Sequence, residues 1–220
     1  ETPPAVQLPP PRTDGLKASP DSATPGNIHT KPSDPHSKTQ LRSLKRQRRK
    51  ALSKTLRQQA AVAISEQVQH LPGWQQAGNL ALYLAADGEA DPGLVAEIAR
   101  ASGKTTYLPE IQADNSLRFA PFDEDTPMRE NRFGIPEPQS ESRSARAINV
   151  VLLPLVAWDY RGHRLGMGGG FYDRSLATAP GVLKVGVGFE IQRVDALPTE
   201  AWDIDLDFVV TETTLHRCQG

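Results

Sequence analysis

The chain has 220 residues, with 25 lysines and arginines against 26 aspartates and glutamates and 38% hydrophobic residues. The resulting net charge of −1 argues against a surface built to coat nucleic acid, and the hydrophobic fraction suits a globular protein with one core of ordinary size. The single cysteine, Cys218, excludes a disulfide within the chain, and the scattered histidines (His29, His36, His70, His163, His216) offer no pair at zinc-ligand spacing.

Any metal is therefore expected on oxygen ligands. No apolar run approaches the roughly 18 residues of a membrane-spanning helix, and no charged segment followed by an apolar stretch marks a signal peptide. A cytoplasmic monomer with no membrane partner is expected.

Residues 1–37 hold nine of the 19 prolines, no aromatic residue and few large aliphatic ones. Such a segment buries too little surface to offset the entropy of ordering, so a disordered Pro-rich extension is expected, inert in preference to a ligand for a small recognition domain. A single α/β domain is expected over 38–220.

Ser37 is the expected N-cap of a helix reaching about Leu52, and Ser53 that of a second helix running towards His70. In the second, Leu56, Ala60, Ala63, Ile64, Val68 and Leu71 follow helical spacing and predict a buried stripe. In the first, Leu41, Leu44, Ala51 and Leu52 form the apolar side, while Lys38, Arg42 and Arg49 gather on one flank within about 40° of one another. The run Lys45-Arg46-Gln47-Arg48-Arg49-Lys50 reads two ways: as a solvated basic face, the preferred expectation, or as a helix contacting RNA phosphates. No aromatic residue interleaves it, which counts against RNA.

After Gly78 the pattern changes to short apolar runs separated by helical stretches. Leu80–Leu84 reads as a buried strand, Pro92–Ala101 as a helix with Asp91 at its N-cap, and Thr105–Leu108 as the next strand. Shorter strands are expected around Leu117–Phe122 and near Ile135. Ile148–Leu153 is the clearest strand; a helix from about Gly170 to Ala179, a strand over Val182–Phe189 and a last strand over Phe208–Thr211 follow. This alternation predicts an open, mostly parallel sheet with helices on both faces, in which ligands collect beyond the carboxyl ends of the strands. The segments 84–91 and 159–173 both follow strands, so two loops are expected over one cleft.

The second of those loops carries Arg164-Leu165-Gly166-Met167-Gly168-Gly169-Gly170-Phe171-Tyr172-Asp173. Glycines at 166, 168, 169 and 170 let backbone N–H groups approach an anion and adopt φ > 0, and a helix starting there aims its positive end at the same place. Arg164 can add a guanidinium fork on phosphoryl oxygens, and Asp173 a carboxylate for the Mg²⁺ that accompanies a triphosphate. The run lacks the Lys-Ser/Thr ending of a Walker loop and the glycine spacing of a dinucleotide fingerprint. Taken alone, it reads equally as a tight strand-to-helix turn.

The wider string, Leu153-Pro154-Leu155-Val156-Ala157-Trp158-Asp159, Arg161-Gly162 and 164–173, resembles the signature of the 5-formyltetrahydrofolate cyclo-ligase family. Lys38-Thr39-Gln40-Leu41-Arg42, Leu82-Tyr83-Leu84 with Glu89 and Asp91, Ile135-Pro136-Glu137-Pro138 and 202–207 fall in the family's order, so the resemblance spans about residues 38 to 212. It implies a Rossmann-like three-layer fold and the conversion of 5-formyltetrahydrofolate and ATP, with Mg²⁺, into 5,10-methenyltetrahydrofolate, ADP and phosphate.

Carried across, Lys38, Arg42 and Arg164, Leu165, Gly166, Met167, Gly168, Gly169, Gly170, Phe171 and Tyr172 look like the nucleotide site, with Arg164 and Tyr172 as catalytic residues. Leu84 and Glu89 resemble the folate side, with Met167 to Phe171 facing both ligands. Asp173 and Asp203 resemble the magnesium positions. Phe171, Trp202, Met167 and Gly169 depart from residues frequent in the family (tyrosine, histidine, arginine and lysine), which leaves fewer cations facing phosphate. Two other classes fit parts of the pattern: a folate- or RNA-binding module without turnover, and a sugar-phosphate isomerase or transferase of similar architecture.

Overall fold

The computed structural model describes residues 37–219; the expectation of a disordered extension concerns residues that, except for Ser37, lie outside it. Helix α1 (Lys38–Lys50) begins where the Ser37 hydroxyl accepts the Gln40 N–H at 3.3 Å, and α2 (Lys54–Val68) where Ser53 accepts the Leu56 N–H at 3.2 Å. Strand β1 (Asn79–Ala81), helix α3 (Gly93–Ala101) and the hairpin of β2 (Thr105–Ile111) and β3 (Leu117–Pro121) follow. A second, short hairpin is formed by β4 (Met128–Glu130) and β5 (Pro136–Pro138). Then come β6 (Val150–Pro154), the two-residue strands β7 (Ala157–Trp158) and β8 (Arg164–Leu165), α4 (Phe171–Leu176), β9 (Leu183–Val187), β10 (Phe208–Val210) and β11 (Leu215–Arg217).

The main sheet has the order β11-β10-β9-β6-β1-β2-β3. Its five inner strands are parallel, and both edges are antiparallel. The chain leaves β1 towards β2 and returns to the other side of β1 with β6, so the direction of winding reverses between β1 and β6. Loops leaving the carboxyl ends of these two neighbours diverge and open a crevice, the place where such sheets take ligands.

Alternation along the strands divides the interior in two. Leu80, Leu82, Val150, Leu152, Val185 and Val187 face a core shared with α2 and α3. Ala81, Val151, Leu153 and Val209 face the opposite core, which takes Phe119 from β3 and Leu176 from α4. The mostly parallel sheet with helices on both faces is as the sequence predicts.

Boundaries differ in ways that bear on the site. β1 ends at Ala81, with the Leu82 N–H still donating to the Tyr107 carbonyl at 2.9 Å, so Leu84 stands 40% exposed in the following loop and not in a buried strand. α4 stops at Leu176, three residues short of the expected end. Asp91 lies one position before the N-cap of α3, but its carboxylate accepts the Gly93 N–H at 2.9 Å, which is capping chemistry. The β7–β8 hairpin and edge strand β11 were not foreseen; two-residue strands are too short to show a period.

The apolar readings of the first two helices need correction. Leu56, placed in the buried stripe of α2, is 53% exposed, and Leu44, placed on the apolar side of α1, is 43% exposed. The inner face of α1 is cationic. Lys45 and Arg49 are buried, and the former's ammonium, pushed down by burial, donates to the carbonyls of Ile191 (2.8 Å) and Arg193 (2.6 Å). Arg46 and Lys50 both pair with Asp87. The basic run is therefore a solvated face only at Gln47, Arg48 and Lys50, while Lys45 and Arg49 turn inward. α1 lies across the carboxyl ends of the strands, where unpaired carbonyls and a carboxylate make cations the residues that fit a buried face.

Candidate active site

The cations of α1 recur at positions 38, 42, 45 and 49, a helical stripe, and each fastens a different loop above the sheet. The Lys38 ammonium meets the Asp203 carboxylate at 3.1 Å, and Arg42 Nε donates to the Gly166 carbonyl at 2.9 Å. Arg49 donates to the Leu155 carbonyl beyond β6 at 3.2 Å and to the Asp87 carbonyl beyond β1 at 2.9 Å. One helix thus ties together the loops on both sides of the β1/β6 crevice.

Beneath Arg42 lies the glycine loop. Gly168 (φ +104°) and Gly170 (φ +64°) adopt the left-handed region, and a Cβ at Gly168 would fill the space before the Arg42 guanidinium at 3.6 Å. A Cβ at Gly169 would run into the Phe171 ring. The loop is a shaped backbone concavity that side chains would close.

Arg164 sits under this loop with its side chain 6% exposed and pairs with Asp173 at 2.7 Å. Its Nε is buried and has no acceptor among the described residues. An orphaned guanidinium N–H beside a concavity of positive-φ glycines suits a phosphoryl group. The same guanidinium stands 5.9 Å from the Tyr172 ring centre. Burial pushes the Tyr172 phenol well above its ordinary range, against the opposing pull of Arg164, so its hydroxyl stays protonated.

Asp173 also accepts the Ile204 N–H at 3.2 Å, and Asp203 accepts the Glu200 N–H at 2.9 Å. The carboxylates given to magnesium are thus brought to one turn, each already holding a cation of the protein. Among the described residues no group of three or more His, Cys, Asp or Glu could hold a metal ion. Two hard oxygen ligands fit Mg²⁺ only where substrate phosphates and water complete its shell, which is how that ion commonly binds.

On the other side of the crevice, Glu89 turns one oxygen back to the Ala86 N–H at 3.1 Å, while the other lies 3.7 Å from Arg49. Burial raises its carboxyl above the ordinary value, partly offset by that N–H and by Arg49. The loop is anchored from below by the buried Tyr83 hydroxyl, which donates to the Ala90 carbonyl at 2.5 Å. Leu84 and Met167 stand exposed at its two rims.

The structure brings Arg42, Arg164, Tyr172 and Asp173 together around the glycine loop and links Lys38 to them through the turn at 200–204. Glu89 is tied to the same helix, α1, through Arg49 at 3.7 Å, a residue that sequence reasoning placed on a flank with no role; the spacing 38-42-45-49 was the available signal. Phe133 was missed entirely. In the β4–β5 turn, it packs edge-on against Phe171 with ring centres 6.1 Å apart, a tertiary meeting with no local signature.

Comparison with known proteins identifies the family. The model of the 5-formyltetrahydrofolate cyclo-ligase family matches residues 34–212. A 5-formyltetrahydrofolate cyclo-ligase of Haemophilus influenzae is 36% identical over 174 residues, covering 76% of this chain and 93% of that protein. One from Escherichia coli is 36% identical over 177 residues, covering 76% of this chain and 95% of the relative. The solution structure of Aquifex aeolicus 5,10-methenyltetrahydrofolate synthetase superposes with a TM-score of 0.73 at 30% identity, covering 83% of this chain and 93% of the other. With a glycine loop over the β1/β6 crevice and a match of this extent, the chain belongs to the 5-formyltetrahydrofolate cyclo-ligase family.

Proposed function

We propose that this chain closes 5-formyltetrahydrofolate to 5,10-methenyltetrahydrofolate at the expense of ATP, releasing ADP and phosphate. The observation that carries the reading is the orphaned Nε of Arg164 beneath a concavity of left-handed glycines, in a chain of this family.

An N5-formyl group is an amide: its carbonyl carbon is a poor electrophile, and its oxygen is a poor leaving group once N10 has attacked. Transfer of the γ-phosphoryl group of ATP to that oxygen solves both difficulties. N10 then adds to the activated carbon and gives up its proton to solvent, the C–O bond breaks, and inorganic phosphate departs with the oxygen. This chemistry asks for positioning and charge neutralisation, with no covalent nucleophile from the protein.

The residues divide accordingly. Backbone N–H groups of 166–170, with Lys38, Arg42 and Arg164, hold the phosphates. Asp173 and Asp203 would hold Mg²⁺, which supplies further neutralisation of the triphosphate when bound. Glu89 accepts hydrogen bonds from the amino group and ring N–H of the reduced pterin. Tyr172 offers a protonated hydroxyl near the reacting oxygen. Leu84 and Phe171 contribute apolar walls.

Mixing the protein with Mg-ATP and 5-formyltetrahydrofolate should generate the near-ultraviolet absorbance of the methenyl product, with one ADP for each ring closed. No absorbance change at any ATP concentration, with both ligands shown to bind, would leave a binding module in its place. Product formation without ATP would overturn the phosphoryl-transfer route.

A further inference from the structure

Beyond the glycine loop, at the β3 edge of the sheet, two guanidinium groups converge on one residue. Asn115, in the turn between β2 and β3, has φ +62°, uncommon for a residue with a side chain. Its side-chain oxygen accepts from Arg132, and its carbonyl accepts Arg174 Nε at 3.3 Å. Arg174 also donates to the Gly169 carbonyl at 2.6 Å, and Arg132 lies over the Phe133 ring, 5.0 Å from its centre. Among the described residues neither guanidinium forms an ion pair with a carboxylate. The neighbouring Asp114 turns instead to Ser116, whose N–H and hydroxyl it accepts at 2.9 and 2.6 Å.

The platform is held in place. Asn131 accepts the N–H groups of Phe133 and Ile135 at 2.9 and 3.1 Å and donates at 2.8 Å to Glu137. Glu137, buried at 4% exposure, accepts the Ile111 N–H at the end of β2 at 2.8 Å. The β4–β5 turn is therefore fastened to the main sheet, with Phe133 56% exposed above it. Two like charges hydrogen-bonded to neutral oxygens beside an exposed aromatic ring, with the Asp114 carboxylate interacting only weakly with Arg174, invite an anion with an aromatic body.

Strand order says which anion. The cations assigned to the triphosphate connect the glycine loop to α1 and to the turn before β10, on one side of the β1/β6 crevice. Glu89 follows β1, and Asn115 follows β2, on the other side, with Arg174 bridging from the glycine loop through the Gly169 and Asn115 carbonyls. A pterin held end-on by Glu89 directs its C6 substituent away from that carboxylate. A p-aminobenzoyl unit of about 6 to 10 Å covers roughly two strand spacings, the step from β1 to β3.

We infer that Arg132 and Arg174, gathered on Asn115 beside Phe133 and Phe171, form the subsite for the carboxylates of the glutamyl tail on the folate substrate. This rests on the reading of the reaction given above and adds a determinant of substrate selection. Further γ-linked glutamates would add carboxylates along the same edge.

Three substrates read the subsite: 5-formyltetrahydrofolate, its triglutamyl form, and 5-formyltetrahydropteroate, which lacks the glutamyl residue. In Arg132→Ala, KM for the first should rise about tenfold and for the second by at least as much, as expected for loss of a charge-assisted contact. KM for the pteroate and for Mg-ATP should move less than about twofold by the same reasoning. Arg132→Lys should recover part of the loss, and in Arg132→Ala with Arg174→Ala the preference for folate over pteroate should vanish. Equal losses on all three substrates, or a loss expressed in KM for Mg-ATP, would overturn the subsite; the latter would give the guanidiniums to phosphate. If the wild-type protein makes no methenyl product, the reaction reading falls by itself. Calorimetric binding of the folate and the pteroate to wild type and Arg132→Ala then decides the subsite without turnover.

Discussion

Arg49, fully buried on α1, grips Asp87 twice, donating to its carbonyl at 2.9 Å and to its carboxylate at 3.0 Å, while another nitrogen of the same guanidinium reaches the Leu155 carbonyl at 3.2 Å. One side chain thereby joins the loops that leave β1 and β6. Arg49→Ala would leave the Asp87 carbonyl without its guanidinium donor and the Leu155 carbonyl with Gln192 alone, and would remove one of three cations from Asp87, so a loss of about 1 to 3 kcal/mol in unfolding free energy is expected. Urea denaturation measures it. Arg49→Lys should rescue little, because an ammonium cannot span both loops with the guanidinium's fixed fork.

Asp87 adds a dependence on pH. Hydrogen bonds from Arg46, and then from Lys50, hold its carboxyl far below the ordinary carboxylate range against the cost of desolvation. A depressed folded-state value gives stability that is complete above the unfolded carboxyl value and lost as pH falls towards the folded one. Asp87→Asn should therefore narrow the difference in denaturation midpoint between neutral and strongly acidic solution. An unchanged difference would remove this residue from the account.

Glu89 has the opposite sign. Burial raises its carboxyl, so it takes a proton at a higher pH than an exposed glutamate and then loses acceptor capacity towards a pterin. KM for 5-formyltetrahydrofolate should rise as pH falls through this elevated value, while KM for ATP should not follow. Its ionised form opposes folding, so this term falls away on acidification. Glu89→Gln should thus raise KM for folate about 10- to 100-fold, the size of a charged hydrogen bond, without lowering the melting temperature.

Arg164 and Asp173 should fail together. Arg164→Ala removes the buried donor given to phosphate, and Asp173→Asn keeps an oxygen acceptor but removes the charge that pairs at 2.7 Å with a guanidinium of 6% exposure. Each should lower kcat/KM by at least about a hundredfold, as loss of a preorganised charge contact does. Circular dichroism and the absorbance assay on the same preparations separate loss of fold from loss of turnover. Full activity in either folded variant would move the phosphate site elsewhere.

Gly168 tests the concavity without touching charge. At φ +104° any side chain is strained, and Gly168→Ala should cost about 1 to 3 kcal/mol in stability while weakening ATP binding. Gly181, with open space where a Cβ would stand and no left-handed backbone, is the control, and Gly181→Ala should leave both measurements unchanged.

Much of this molecule was legible from one dimension. The strands at 105–108 and 148–153, the caps at Ser37 and Ser53 and the glycine loop are local features, set by short unbroken apolar runs, by a hydroxyl three residues before an N–H and by backbone freedom. Helix α1 was misread because apolar periodicity presumes an apolar floor. Its floor is made of the carbonyls of Leu155, Gly166, Ile191 and Arg193, so Lys45 and Arg49 turn inward and Leu44 turns out.

The sequence by itself determined a mostly parallel α/β sheet, a glycine-rich loop after a strand and the order of motifs that places the chain in its family, because each is written in short runs of neighbouring residues. Only the tertiary structure decided that α1 is the strap over the crevice, that Arg164 keeps an unanswered N–H, and that Phe133, Arg132 and Arg174 meet beside the glycine loop. Those contacts join residues up to well over a hundred positions apart, and no local preference of the backbone encodes which distant carbonyl a buried cation will reach.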